Sequence, residues 1–275
     1  SSMEKKLEYL AKLYLSAFEL FKKSISKKDK KYEEVKKAYN LLKDAPKNFT
    51  SFTEIRDFSL LLVQPSEMTM TAKIIDKILT TVEIIRKTLV DQSIMQEMAT
   101  SLLSQFPKIC NYISNVSKNQ EDNIRLKILN MCLLFYQCEL LSIHGHCLTD
   151  IIKTCIVIYL SSSSGLQYKT PSRVKEVLSQ IIEMIIKKMN LYIERSHCDT
   201  SFLASNSEND CHNVLSKVYL QYFLDIIEIS NYAQNEKEKD ILQAYISLLK
   251  DKKQTDNLKK EIESLDLENS NITIN

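Results

Sequence analysis

Glycine and proline are scarce in this chain. Gly145 and Gly165 are the two glycines, and Pro46, Pro65, Pro107 and Pro171 the four prolines, among 275 residues. Turn-rich β folds and phosphate-cradling loops both need glycine for positive φ angles and close backbone approach, so the scarcity argues against both. A charge excess is also missing. With 37 basic and 35 acidic residues the net charge is +2, which gives the whole molecule no pull toward nucleic acid or anionic lipid. No apolar run approaches the about 20 residues needed to cross a bilayer. No signal-like apolar leader precedes the seven cysteines; their odd number points to reduced thiols in the cytosol rather than a disulfide framework. What is present is 44% apolar and 26% charged residues, the balance of a soluble chain with a sizeable core. An all-helical fold is the expectation.

The spacing of apolar residues supports it. The run Ile151–Leu160, flanked by Asp150 and four serines, is rich in β-branched residues and resembles a buried strand at first sight. Yet Ile151, Ile152, Cys155, Ile156 and Tyr159 step by one, three, one and three, which makes one face of a helix rather than an alternating strand. The next segment repeats the pattern at Val174, Val177, Leu178, Ile181, Ile182, Ile185, Met189 and Tyr192, with Thr170 expected as N-cap and Pro171 in the first turn. The stretch SSSSGLQYK between them reads as a turn.

Further amphipathic helices are expected around Leu7, Leu10, Tyr14, Phe18, Phe21 and Ile25, and around Tyr32, Val35, Tyr39 and Leu42. Tyr14, Phe18 and Phe21 are assigned to the core. Others are expected over Ser51–Val63, Ser66–Val90, Asp91 to about Val116 with a bend at Pro107, and around Ile124, Ile128, Cys132 and Tyr136. Beyond Glu194 the polar run reads as a linker, followed by helices over Val214–Ile229 and Ile241–Leu249 and a frayed tail. The expected division is therefore residues 1–2 as an expression remnant before Met3, 3–195 as one helical domain, 196–211 as linker, 212–267 as a helical extension and 268–275 as tail. Helices of this length joined by short turns fit an all-α, armadillo- or HEAT-like right-handed solenoid of stacked antiparallel helices, with a compact bundle as the alternative.

One local charge bias stands out. Phe21–Lys37 carries eight lysines against Asp29, Glu33 and Glu34. It reads first as a solvated turn between helices, with a patch for anionic membrane as the functional alternative. It lacks the arginine and aromatic interleaving of nucleic-acid grooves.

Catalytic chemistry finds little footing. His197-Cys198 and Cys211-His212 supply the residue types of a tetrahedral zinc site, but ligands adjacent in sequence point apart, so free residues on a polar linker are expected and no metal or cofactor. His144 and His146 flank Gly145 at a helix start and suit a cap or turn. Cys132, Cys138 and Cys155 fall within apolar helix patterns, where packing is the default and no base or oxyanion hole accompanies them. No carboxylate pair stands out as an acid and base. No catalytic residue is assigned, and the partner-binding residues stay unassigned.

A resemblance enters at the same stretch. The series Ile143, His144, Lys153, Thr154, Cys155, Ile158, Tyr159 and Leu160, followed by Leu178, Gln180 and Met189, resembles the N-terminal dimerisation and cyclophilin-binding domain of the large, brefeldin-A-inhibited exchange factors for Arf GTPases. Ile124–Leu134 is similar to the preceding helix of that family. The matching positions are packing residues rather than a chemical motif. The turn SSSSGL is slightly longer than the family's, and the lysine-rich N-terminal third departs most.

The resemblance implies an armadillo-like helical fold, self-association as a homodimer, contact with a downstream helical regulatory region of the same protein, and docking on an Arf-like small GTPase. The even charge balance implies no nucleic acid, and the resemblance a cytoplasmic protein only peripherally recruited to the Golgi membrane. Exchange on Arf would belong to a separate domain of the parent. A related Golgi scaffold family without exchange activity carries the same kind of domain and is the alternative; a Cys/His metal protein is the remote one.

Overall fold

The computed structural model describes residues 2–43, 52–64, 71–88, 91–113, 116–161 and 169–199. Among them the fold is all-α, with eight helices and no strand: α1 (Ser2–Ser24), α2 (Tyr32–Lys43), α3 (Phe52–Val63), α4 (Ala72–Thr88), α5 (Gln92–Tyr112), α6 (Lys118–Gln137), α7 (His146–Ser161) and α8 (Thr170–Asp199). The expected helices beyond Val214 lie outside the described residues.

Local chemistry sets several of the helix starts. Asp91 stands in extended backbone before α5 and accepts the Ile94 N–H at 2.8 Å, and Ser117 does the same for α6 through the Gln120 N–H. Thr71 Oγ1 accepts from the Ile74 N–H at the start of α4. Each satisfies an amide that the first helical turn leaves without a partner. Pro107 lies inside α5, which runs on past it to Tyr112. At α7 the chain enters through Gly145, whose φ of +54° is left-handed, while the Cys147 N–H reaches the His144 carbonyl and the Thr149 N–H that of Gly145.

The described residues form two compact units. The first holds α1 to α6 with the end of α7 and the start of α8. Within it α1 packs against α2, α3 and α4; α3 packs on α5, and α6 on both α4 and α5. Its centre is aromatic. Tyr14 and Phe18 on α1 meet Phe58 on α3 at ring-centroid distances of 6.0 and 6.1 Å, and Phe21 meets Phe18 edge-on. These rings are buried, in the separation range where offset and edge arrangements add to area burial. The second unit is built from most of α7 and the body of α8. Leu148, Ile151, Ile152, Cys155, Ile156 and Ile158 are buried along α7, and Val174, Val177, Leu178, Ile181, Ile182, Ile185 and Ile186 along α8. The β-branched decamer is thus helical, as its period requires.

Two details differ from the sequence reading. Thr170, expected as N-cap, is the first helical residue and is fully buried; its hydroxyl donates to Asp122 Oδ1 on α6. And α8 continues to Asp199, past the Glu194 at which polar composition suggested a linker. A run of polar residues suits a solvated helix face as well as a loop.

Candidate interaction surface

The environment of the buried reactive groups decides whether this is a site of chemistry. Cys110 on α5 is buried, and burial pushes its thiol up to about 12, against a smaller downward pull from the Arg125 guanidinium. A nucleophilic cysteine needs the opposite shift. Cys132 and Cys155 are buried as well, while Cys138 and Cys147 are half-buried at helix ends. Burial also raises the Tyr14 phenol, partly offset by its hydrogen bond to Ser59. Asp150 near the start of α7 is raised by burial, with Lys153 and His146 pulling it back down.

His144 and His146 flank the left-handed Gly145 at the entry to α7, the turn position expected of them. His197 and Cys198 lie near the end of α8, where the structure describes no side chains, and Cys211 and His212 lie outside the described residues. Among the described residues no three His, Cys, Asp or Glu side chains group as a metal site. Nor is any described helix long and apolar enough to cross a membrane.

The surface carries other features. On α2, Tyr32, Val35, Ala38 and Leu42 are buried. The opposite face presents Glu33, Glu34, Lys36, Lys37, Asn40 and Leu41 along an open depression of about 610 Å3, and Leu41 is 48% exposed. Met3 and Tyr9 on α1 are exposed in the same unit. A second cleft, of about 500 Å3, lies between α4 and α6 and is lined by Asp76, Gln120, Asn123, Lys127 and Asn130 among others; Lys127 pairs with Asp76 across it. Sequence periodicity missed the exposed apolar residues. Leu41 stands beside the core residue Leu42 and Tyr9 beside Leu10, so each reads as a flank of the apolar stripe.

The described surface thus carries two open depressions and a few exposed apolar residues, while the thiols of Cys110, Cys132 and Cys155 are buried. The sequence model described as DCB, "Mon2/Sec7/BIG1-like, dimerisation and cyclophilin-binding domain", matches residues 7–192.

The chain belongs to the DCB domain family.

The family's description is that of a dimerisation and cyclophilin-binding module and names no catalytic activity. One stretch of 81 residues is 33% identical to "Brefeldin A-inhibited guanine nucleotide-exchange protein 4" of Arabidopsis thaliana, covering 30% of this chain and 5% of that protein. No solved structure matches the chain. The family match runs through α1, α2 and the lysine-rich turn, where the resemblance read from the sequence was weakest.

Proposed function

We propose that this DCB domain is the N-terminal regulatory and self-association domain of a large guanine-nucleotide exchange factor for Arf GTPases in Golgi vesicle transport. The family match over residues 7–192 carries the reading. The similarity to a brefeldin A-inhibited exchange protein favours an exchange-factor parent over a scaffold without exchange activity. In this reading the helices stack as armadillo- or HEAT-like antiparallel hairpins across 3–195, with 196–211 as linker and 212–267 as a helical extension. The domain acts by burying helix faces against a second copy, a downstream helical region and an Arf-like GTPase, using shape and apolar anchors. The protein is cytoplasmic and joins the Golgi membrane peripherally.

Two experiments test this. Multi-angle light scattering over a concentration series should show a monomer–dimer transition; a strict monomer at the highest concentration removes self-association. Capture of Arf-like GTPases loaded with GTP or GDP should depend on the nucleotide, and equal capture of both forms removes GTPase recognition.

A further inference from the structure

The turn between α1 and α2 is both ordered and unusually basic. Eight of the chain's 37 basic residues fall in Phe21–Lys37. Ile25 and Tyr32 anchor the two ends of the turn by burial. Backbone bonds then close it: the Ile25 N–H to the Phe21 carbonyl, the Asp29 N–H to that of Ser26, and the Tyr32 N–H to that of Asp29. The Asp29 carboxylate accepts the Lys31 N–H at 2.9 Å. This bonding fixes the backbone that carries Lys27, Lys28 and Lys30, and all three side chains are exposed.

Their charges are not spent within the fold. Lys23 pairs with Glu19, and Lys31 with Glu34; Lys22 lies 4.5 Å from the centre of the Tyr39 ring. Among the described residues Lys27, Lys28 and Lys30 enter no ion pair. Nearby Asp29 and Glu34 are turned onto Lys31. Three like charges held close together on a fixed turn repel one another, and an external anion relieves that repulsion.

We propose that the Lys27-Lys28-Lys30 turn is a docking point for the anionic phospholipid headgroups of a membrane surface. Exposed lysine ammonium groups on a short turn suit a sheet of diffuse negative charge, which demands neither bidentate geometry nor a pocket. The turn has no arginine, and its one aromatic, Tyr32, is buried, so it offers no platform for stacking bases. The proposal stands apart from GTPase recognition and survives if that fails.

The test is vesicle co-sedimentation of the whole chain, using phosphatidylcholine vesicles with and without phosphatidylserine, at low and high salt. Expected is retention by the anionic vesicles alone, released by salt. The triple variant K27Q/K28Q/K30Q should lose about a hundredfold in partitioning, from a roughly fivefold contribution per lysine. K73Q/K87Q/K187Q removes the same charge from exposed lysines elsewhere and should bind like the wild type. K27R/K28R/K30R should also bind like the wild type, which separates lost charge from a disturbed turn. Equal binding to neutral vesicles, equal loss in both glutamine variants, or capture of single-stranded RNA or a polyglutamate peptide in place of vesicles overturns the proposal.

Discussion

Tyr14 on α1 donates its phenolic hydrogen to Ser59 Oγ on α3, because the Ser59 hydroxyl hydrogen is already committed to the Ile55 carbonyl at 2.7 Å. Both side chains are fully buried. The relay ties α1 to α3 at the centre of the aromatic cluster and makes the two residues unequal. Ser59→Ala takes this acceptor away from the buried phenol and should cost about 1–3 kcal/mol, whereas Tyr14→Phe removes the donor with its need and should cost about 1 kcal/mol. The double variant should cost less than the sum. Urea unfolding followed by circular dichroism measures all three, and strict additivity would show that the two groups do not interact.

A second asymmetry belongs to Arg125. Its guanidinium is buried on α6, paired with Glu121 at 2.6 Å and donating to the Ser161 carbonyl at 3.1 Å, while its Nε has no partner among the described residues. Removing the carboxylate leaves a buried charge without its counter-ion. Glu121→Ala should therefore cost about 3 kcal/mol, and Arg125→Met, which replaces the cation with an apolar chain of similar length, clearly less. A reversed order in thermal or urea unfolding would mean that the guanidinium is solvated in solution.

Much of this architecture is legible in the spacing of apolar residues. Leu10, Tyr14, Phe18, Phe21 and Ile25 are buried as a single stripe demands, and β-branched content at Ile151–Leu160 did not override helical period. Tyr39 departs from that logic. Its spacing placed it with Val35 and Leu42 on the apolar face of the helix, but its ring is only half-buried, with the Lys22 and Lys43 ammonium groups 4.5 and 5.7 Å from its centre. A cation over the face of such a half-exposed ring is worth about 0.5–1 kcal/mol, and an aromatic with a polar tip keeps that tip in water. The packing of α1 on α4 was not legible, because periodicity says which face is buried and never against what. The same limit hides an interaction surface. An apolar residue such as Leu41 looks alike in sequence whether it waits for a partner or only flanks its own core.

Cys110 yields a prediction with a definite sign. Its thiol rises from an ordinary 9.0 to about 12 through burial. A group raised on folding contributes its stability fully below the unfolded value and loses it as pH climbs toward the folded one. Between about pH 9 and 12 the native state should therefore weaken by up to about 1.4 kcal/mol per pH unit from this residue. Cys110→Val should flatten the slope of unfolding free energy against pH in the accessible part of that window. At neutral pH, thiol-directed alkylation mapped by mass spectrometry should mark Cys138 and Cys147 before Cys110, Cys132 and Cys155. Early labelling of Cys110 would contradict its burial.

Gly145 isolates a backbone effect from a packing one. It opens α7 at φ +54°, and a β-carbon added there meets nothing within 4 Å. Any cost of substitution thus comes from the left-handed conformation alone, since no neighbour is displaced. Gly145→Ala should lose about 1 kcal/mol, near the usual cost of placing an L-residue there. Gly145→Asn should lose less, because asparagine's short polar side chain can bond locally in that region. Gly145→Val should lose more than alanine, as branching at the β-carbon makes positive φ worse. The ordering asparagine, alanine, valine in urea midpoints is the check. Three equal midpoints would show that His144 and His146 hold the entry to α7 without a left-handed residue between them.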